Sequence, residues 1–303
     1  MKSVTVRVPA TAANLGPGFD CLALALDPML ELTLSLEGEG LEVEVEGEGV
    51  DLLPRGEDNL IVRAVRRLFG AAGFDPRSLR LRCVSAIPIA SGLGSSAAAV
   101  IAGLTGANAL LGGKLTWQEI LAHAAEFEGH ADNGAAALIG GLAAVTSHAG
   151  RWIARGLPIA EMKLAVAIPN LELPTAEMRR LLPAQVPFAD ATSNLAHLAL
   201  ALEGFRLGDY DLLAVALHDR LHEPYRTRRI PGFEQARRAG LEAGAAAVVL
   251  AGAGPSLLAF APGRHEEIAE AMASAFRDAS LSSRAAVYSI ARQGATSPPA
   301  PSP

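Results

Sequence analysis

The sequence has only two cysteines, Cys21 and Cys83, in 303 residues, and both lie among apolar neighbours. No zinc spacing surrounds them, so two reduced core thiols are expected. Basic residues are not in excess: 26 Lys and Arg stand against 32 Asp and Glu, a net charge of −6. A general nucleic-acid binder needs a basic stripe to neutralise phosphates, and that class is excluded. A nucleotide enzyme is not, because one small ligand needs only a local positive potential. The longest apolar runs are Ala-rich and broken by Gly, Asn or charge, so none reads as a membrane span. The opening MKSVTVRVPA has no unbroken apolar stretch of the kind a signal peptide carries, and a cytoplasmic protein is expected. No repeat of fixed period is visible. The last ten residues, 294–303 (GATSPPAPSP), lack apolar periodicity and hold several prolines, which predicts a disordered tail.

The length suits two compact lobes, placed at residues 1–160 and 161–293. Val4, Val6 and Val8 alternate with polar residues, which predicts a strand. Leu30–Leu36 and Leu41–Val45 also alternate, and the Glu-Gly-Glu-Gly between them predicts a hairpin. Asn59–Phe69 has helical spacing, and Leu79–Val84 reads as a strand. Residues 97–111 are apolar nearly all round, as in a buried helix closed by Gly112-Gly113. Thr116-Trp117-Gln118-Glu119 is a capping box opening a helix to about Glu128. The second half alternates helical stretches with short strands, an α+β arrangement.

Two common nucleotide signatures are missing. A Walker A loop needs Gly-Lys-Ser/Thr after four spacers, and no lysine follows Gly94. Gly252-Ala253-Gly254-Pro255-Ser256 lacks the third glycine of a dinucleotide fingerprint. What is present is Pro88-Ile89-Ala90-Ser91-Gly92-Leu93-Gly94-Ser95-Ser96-Ala97-Ala98 ahead of the apolar helix. Its glycines permit a sharp turn and close backbone approach, and the helix start offers free N–H groups, an arrangement that suits phosphate. A plain Gly-rich turn capped by serine is the other reading. Pro9–Asp20 follows the first strand as a polar loop in which Asn14 and Asp20 suit an ammonium or hydroxyl, or else brace the loop. Glu126, Glu128, His130, Asp132 and Asn133 crowd a helix end, where a cation such as magnesium or plain solvent could meet them. Thr175 and Arg179 lie one helical turn apart, and Arg226 belongs to an arginine cluster whose forks match carboxylate or phosphate.

Taken together, these segments resemble the GHMP kinase family. Three motifs occur in the family's order: Pro9–Asp20, Pro88–Ala98 and Ala251–Ser256, the last with Ala251 where serine is more usual. The first differs from the Gly-Glu-His type of the family's sugar and mevalonate members. It is similar to the branch that phosphorylates L-homoserine, as are His130-Ala-Asp132-Asn133 and Glu223-Pro-Tyr-Arg226. The resemblance spans nearly the whole chain except the tail. It implies a two-lobe fold, with an N-terminal lobe like ribosomal protein S5 domain 2 and a ferredoxin-like C-terminal lobe. It implies transfer of phosphoryl from ATP, with Mg²⁺, to the side-chain hydroxyl of L-homoserine in threonine biosynthesis, and a homodimer.

By motif match, the resemblance implies that residues Pro88 to Ala98 hold the triphosphate and Asn59 touches the adenine. Glu126 and one of Ser95 or Ser96 hold Mg²⁺. Asn14, Asp20, Asn133, Thr175, Arg179, Arg226 and Gly254 line the acceptor site, with Asn133, Glu126 and Arg179 as the catalytic set. The short segment between Glu126 and Asn133 leaves Glu128 as an alternative metal carboxylate. Asn133 stands where several members carry Asp; an amide takes no proton at neutral pH, so direct proton passage to the phosphoryl group is expected. The competing readings are a kinase for another small acceptor, such as mevalonate or shikimate, and a non-catalytic binding protein of the same fold. The intact phosphate loop and acidic helix end speak against the second.

Overall fold

A computed structural model describes residues 2–296. The chain begins with β1 (Ser3–Asn14), β2 (Gly18–Ser35) and β3 (Gly40–Gly47), followed by α1 (Leu60–Ala71) and β4 (Ser78–Ser85). Next come α2 (Ser95–Leu110), α3 (Trp117–Glu128), α4 (Asp132–Ile139) and the hairpin β5 (Leu142–His148)–β6 (Arg151–Leu157). These strands form one sheet in the order β3-β4-β2-β5-β6, with β1 antiparallel to β2. The predicted hairpin between β2 and β3 is corrected. β4 inserts between them, antiparallel to β2 and parallel to β3, because the crossover through α1 returns the chain in the direction of β3. β6 carried no clear signal in the sequence, since its outward residues are mixed and Ile153 stays exposed.

The second sheet starts at β7 (Lys163–Pro169). It continues through α5 (Thr175–Arg180), α6 (Phe188–Leu207), α7 (Tyr210–Ala216), the single turn α8 (Glu223–Arg226) and α9 (Phe233–Glu242). It is completed by β8 (Ala247–Leu250), β9 (Leu257–Phe260), α10 (His265–Asp278) and β10 (Ser283–Ser289). The order β10-β7-β9-β8 is antiparallel throughout, the ferredoxin-like arrangement. Apolar residues of both sheets, from Val6 and Leu32 to Val166 and Phe260, belong to one continuous core.

The predicted disordered tail is corrected for residues 294–296. After β10 the chain returns to the first lobe. The Thr296 N–H donates to Arg7 O at 3.0 Å, the Arg7 N–H donates back at 2.9 Å, and the Ala295 N–H donates to Ala137 O at 2.7 Å. Backbone groups satisfied in this way hold a segment that has no apolar periodicity of its own. The remainder of the predicted tail, 297–303, lies outside the described residues.

Candidate active site

Helix α2 begins without a side-chain cap: its cap position is Gly94, in the left-handed region at φ 72°. The Ala98 N–H is the first to close onto the helix, on Gly94 O at 2.9 Å. The N–H groups of Ser95, Ser96 and Ala97 precede it at the positive end of the helix dipole. The loop ahead is shaped by close approach. A Cβ on Gly94 would lie 2.8 Å from Thr11 O and nearer still to Thr11 Oγ1. One on Gly92 (φ 82°) would lie 2.8 Å from Gly254 O and nearer still to Ala251 O. Only glycine permits β1 and the Ala251–Gly254 turn to seat against the loop there. The Ser256 N–H donates to Ser91 O at 3.1 Å, tying the second lobe to the same loop. Ser91 Oγ is engaged within the loop, donating to Pro88 O at 2.8 Å.

The region Pro9–Asp20, expected as a loop, is largely strand. β1 extends to Asn14, and a tight turn with positive φ at Asn14, Leu15 and Gly16 leads into β2. Asn14 Nδ2 donates to Gly252 O at 2.8 Å, and its Oδ1 accepts the Asp20 N–H at 3.1 Å. Asn14 thus spans the lobes and orients Asp20. The Asp20 carboxylate receives both arms of the Arg179 guanidinium, at 2.7 and 2.8 Å. That hydrogen-bonded pairing, set against the opposing effect of partial burial, holds Arg179 above its ordinary pKa. Arg226 is 1 % exposed yet lines the same cleft. Burial pushes its pKa down to about 10, with the charge of Arg179 acting in the same direction. The guanidinium carbons of Arg179 and Arg226 sit 5.6 and 5.2 Å from the centre of the Phe19 ring. Phe19, between Gly18 and Asp20 in the sequence, gives no local sign of the arginines that surround it, because both come from the other lobe.

One cleft, open to solvent and with a cavity volume of about 110 Å³, is lined by Asn14, Asp20, Ala90, Ser91, Gly92, Gly94, Ser95, Ser96, Ala97, Asn133, Thr175, Arg179, Arg226 and Gly254. The expected phosphate and acceptor residues therefore converge from both lobes. Glu128, His130 and Asp132 join them. His130 Nδ1 lies 2.8 Å from Asp132 Oδ1; this partner raises the His130 pKa although burial opposes it. Asn133 Oδ1 accepts from Thr11 Oγ1 at 2.9 Å.

Some expected residues stand elsewhere. Glu126 is bonded to Arg67 on the outer face of α3, is 54 % exposed, and does not reach the cleft. Its assignment as metal ligand and catalytic residue is corrected. Two residues along a helix is a rotation of about 200°, so Glu128 faces the cleft instead, accepting from Ser96 Oγ at 2.6 Å. Leu93 and Ala98 are fully buried, so their side chains pack in the core; from Leu93 only the backbone takes part in the loop, its O accepting the Thr11 N–H at 3.1 Å. Pro88 and Ile89 border a neighbouring pocket between the lobes. Asn59 caps α1, its Oδ1 accepting the Ile61 N–H at 2.9 Å and its Nδ2 donating to Pro54 O at 2.7 Å. It lines a separate apolar cavity with Leu30, Val45, Leu53, Ile61 and Ala99, which also reaches Ser95 and Ser96.

Among the described residues no cluster of three His, Cys, Asp or Glu side chains is placed to cage a metal. A lone carboxylate beside a serine hydroxyl suits magnesium, which takes most of its oxygens from phosphates and water.

The family models for the GHMP kinase N-terminal and C-terminal domains match residues 59–141 and 201–278. The homoserine kinase of Parasynechococcus marenigrum (strain WH8102) is 44 % identical over 305 aligned residues, covering 99 % of this chain and 97 % of the relative. That of Synechococcus sp. (strain WH7803) is 44 % identical, covering 97 % and 95 %. The crystal structure of homoserine kinase from Cytophaga hutchinsonii superposes with a TM-score of 0.86 at 30 % identity, covering 98 % of both chains. A mevalonate kinase of L. major, at 16 % identity and a TM-score of 0.66, shares the fold. The chain belongs to the GHMP kinase family, in its homoserine kinase branch.

Proposed function

We propose that the protein transfers the terminal phosphoryl group of ATP to the side-chain hydroxyl of L-homoserine, a step of threonine biosynthesis. The observation that carries this reading is one cleft with two chemically distinct ends. At one end lies the uncapped start of α2 in its glycine cradle. At the other, the Asp20 carboxylate and the guanidinium groups of Arg179 and Arg226 offer opposite charges side by side. Such a pair is the complement of a zwitterion: Asp20, with Asn14, takes the ammonium, and Arg179 with Arg226 takes the carboxylate. Acceptors without an amino group, such as mevalonate or shikimate, bring Asp20 no cation beyond Arg179. The 44 % identity to homoserine kinases over nearly the whole chain supports the same acceptor.

ATP seats its phosphates on the N–H groups of Ser95, Ser96 and Ala97, with its base in the apolar cavity beside Asn59. Ser96 and Glu128 hold Mg²⁺, which when bound offsets charge on the phosphate oxygens. Phosphoryl transfer is mainly positioning and charge stabilisation, so the residues orient the hydroxyl and exclude water. Every carboxylate facing the cleft has a partner: Asp20 with Arg179, Glu128 with Ser96, Asp132 with His130. Asn133 takes no proton. From this amide we infer that the hydroxyl proton passes to a phosphoryl oxygen rather than to a side chain at that position. A coupled ADP-release assay across L-homoserine, L-serine, L-threonine, mevalonate and shikimate tests the assignment. Homoserine should lead by at least an order of magnitude in kcat/KM; equal or better turnover of a non-amino acceptor refutes it.

A further inference from the structure

We propose that His222 is a positioning residue for recognition of the acceptor's carboxylate, holding Arg226 with one ring nitrogen and the opposite lobe's turn at Gly16, just ahead of β2, with the other. The inference rests on the reading of the acceptor as a zwitterion. His222 is fully buried. Its Nε2 lies 3.0 Å from Gly16 O. A carbonyl oxygen only accepts, so Nε2 carries the hydrogen and Nδ1 presents a lone pair. That lone pair faces Arg226 Nη1 at 3.5 Å, and Nη1 also donates to Gly252 O at 3.2 Å. Nη1 is therefore held by the protein, while the buried Nε has no acceptor among the described residues. Burial drives the His222 pKa well below its ordinary value, and the Arg226 charge adds to this against the opposing pull of Asp219. The ring is neutral, as an acceptor from a guanidinium must be.

The ring is itself held from several sides. Phe19 stacks on it at 5.2 Å and 22°. The Asp219 carboxylate accepts the N–H groups of Leu221, His222 and Glu223 at 3.1, 2.8 and 2.8 Å, fixing the turn that carries it. Asn194 Nδ2 donates to the same carboxylate at 2.8 Å, which joins the turn to α6. One side chain thus sets the carboxylate-binding arginine in register with the turn that leads into the Asp20 end of β2.

The two ring nitrogens can be separated by substitution. In His222→Gln the amide nitrogen can keep the donation to Gly16 O while the acceptor toward Arg226 is lost. In His222→Asn the amide oxygen falls near the Nδ1 position, keeping the acceptor and losing the Gly16 contact. The experiment measures kcat/KM for L-homoserine and for 3-aminopropan-1-ol, which lacks only the carboxylate, together with KM for ATP and the melting temperature. His222→Gln should lower kcat/KM for homoserine on the order of 10- to 100-fold, the range of a hydrogen bond to a charged group. The aminopropanol value and KM for ATP should stay within about twofold. His222→Asn should lower both acceptors together and preserve their ratio. Equal loss of both acceptors in His222→Gln, or no loss of homoserine at an unchanged melting temperature, overturns the proposal. If His222→Gln does not fold, a collapse of the ratio in His222→Asn overturns it and a preserved ratio supports it. A wild-type protein inactive on both acceptors would instead refute the function reading, and this inference with it.

Discussion

Gly92→Ala tests how the phosphate loop and the second lobe are locked together. At φ 82°, an alanine sits in the left-handed region, a penalty of about 1–2 kcal/mol. Its Cβ would also lie 2.8 Å from Gly254 O and closer to Ala251 O, both backbone atoms. Ordinary contact requires a shift of more than about half an ångström in a packed turn, comparable to overpacking at about 1–3 kcal/mol. The sum is about 2–5 kcal/mol, or roughly 3–8 °C of melting temperature for a protein of this size. Gly113→Ala is the control: its φ is 69° and nothing lies within 4 Å of the added Cβ, so only the backbone penalty of about 1–2 kcal/mol applies. Differential scanning fluorimetry of both variants, with and without ATP and Mg²⁺, separates the contributions. Gly92→Ala should melt well below Gly113→Ala and lose most of the nucleotide-induced rise. Equal melting temperatures for the two variants would show that the loop is not wedged against the Ala251–Gly254 turn.

Glu128→Gln should reduce kcat on the order of 10²-fold and raise the Mg²⁺ concentration needed for half activity, whereas Glu126→Gln should stay within about threefold; a Mg²⁺ titration under saturating ATP distinguishes them, and the reverse ranking would restore Glu126 as the metal carboxylate. Asp20→Asn removes both the ammonium partner and the brace on Arg179, so steady-state kinetics should show KM for homoserine rising on the order of tenfold or more with KM for ATP little changed. Glu223 is a buried carboxyl whose burial raises its pKa from 4.5 to about 7, the Leu250 N–H opposing the shift. The folded state therefore keeps a proton that the unfolded chain releases, and this group lowers stability progressively as pH rises from about 4.5 to about 7, with no further change above. Glu223→Gln keeps an acceptor for the Leu250 N–H, so thermal melts should show it stabilising the protein at pH 8 by about 1–3 kcal/mol and hardly at pH 4.5; an equal effect at both pH values would contradict the buried, proton-holding state.

Much of what lines the cleft was legible in local chemistry. The glycines of the Ser91–Ser96 loop and the apolar run after it marked a turn into a buried helix, which begins there with its N–H groups uncapped by a side chain, and the Thr116–Glu119 capping box formed as written. Asn14 and Asp20 stood out because polar groups in an apolar stretch require partners. Their true setting, the end of a long strand and a left-handed turn, did not, since a strand edge with positive φ has no sequence period. Residues 294–296 misled for the same kind of reason: their order comes from backbone hydrogen bonds to Arg7 and Ala137, which leave no trace in side-chain pattern.

The sequence by itself determined the fold class, the glycine and hydroxyl pattern ahead of α2 and the inventory of acids, amides and arginines, because these depend on residue type, short spacing and apolar period. The tertiary structure alone decided which carboxylate of the α3 end faces the cleft, because Glu126 and Glu128 are equivalent until the helix is docked and Arg67 claims the outer one. It also decided that Gly252 receives Asn14 and Arg226 together, and that His222 and Phe19 tie the two lobes at the acceptor end. Contacts between residues some 200 positions apart are set by how two sheets share one core, a property of the packed whole that no local window contains.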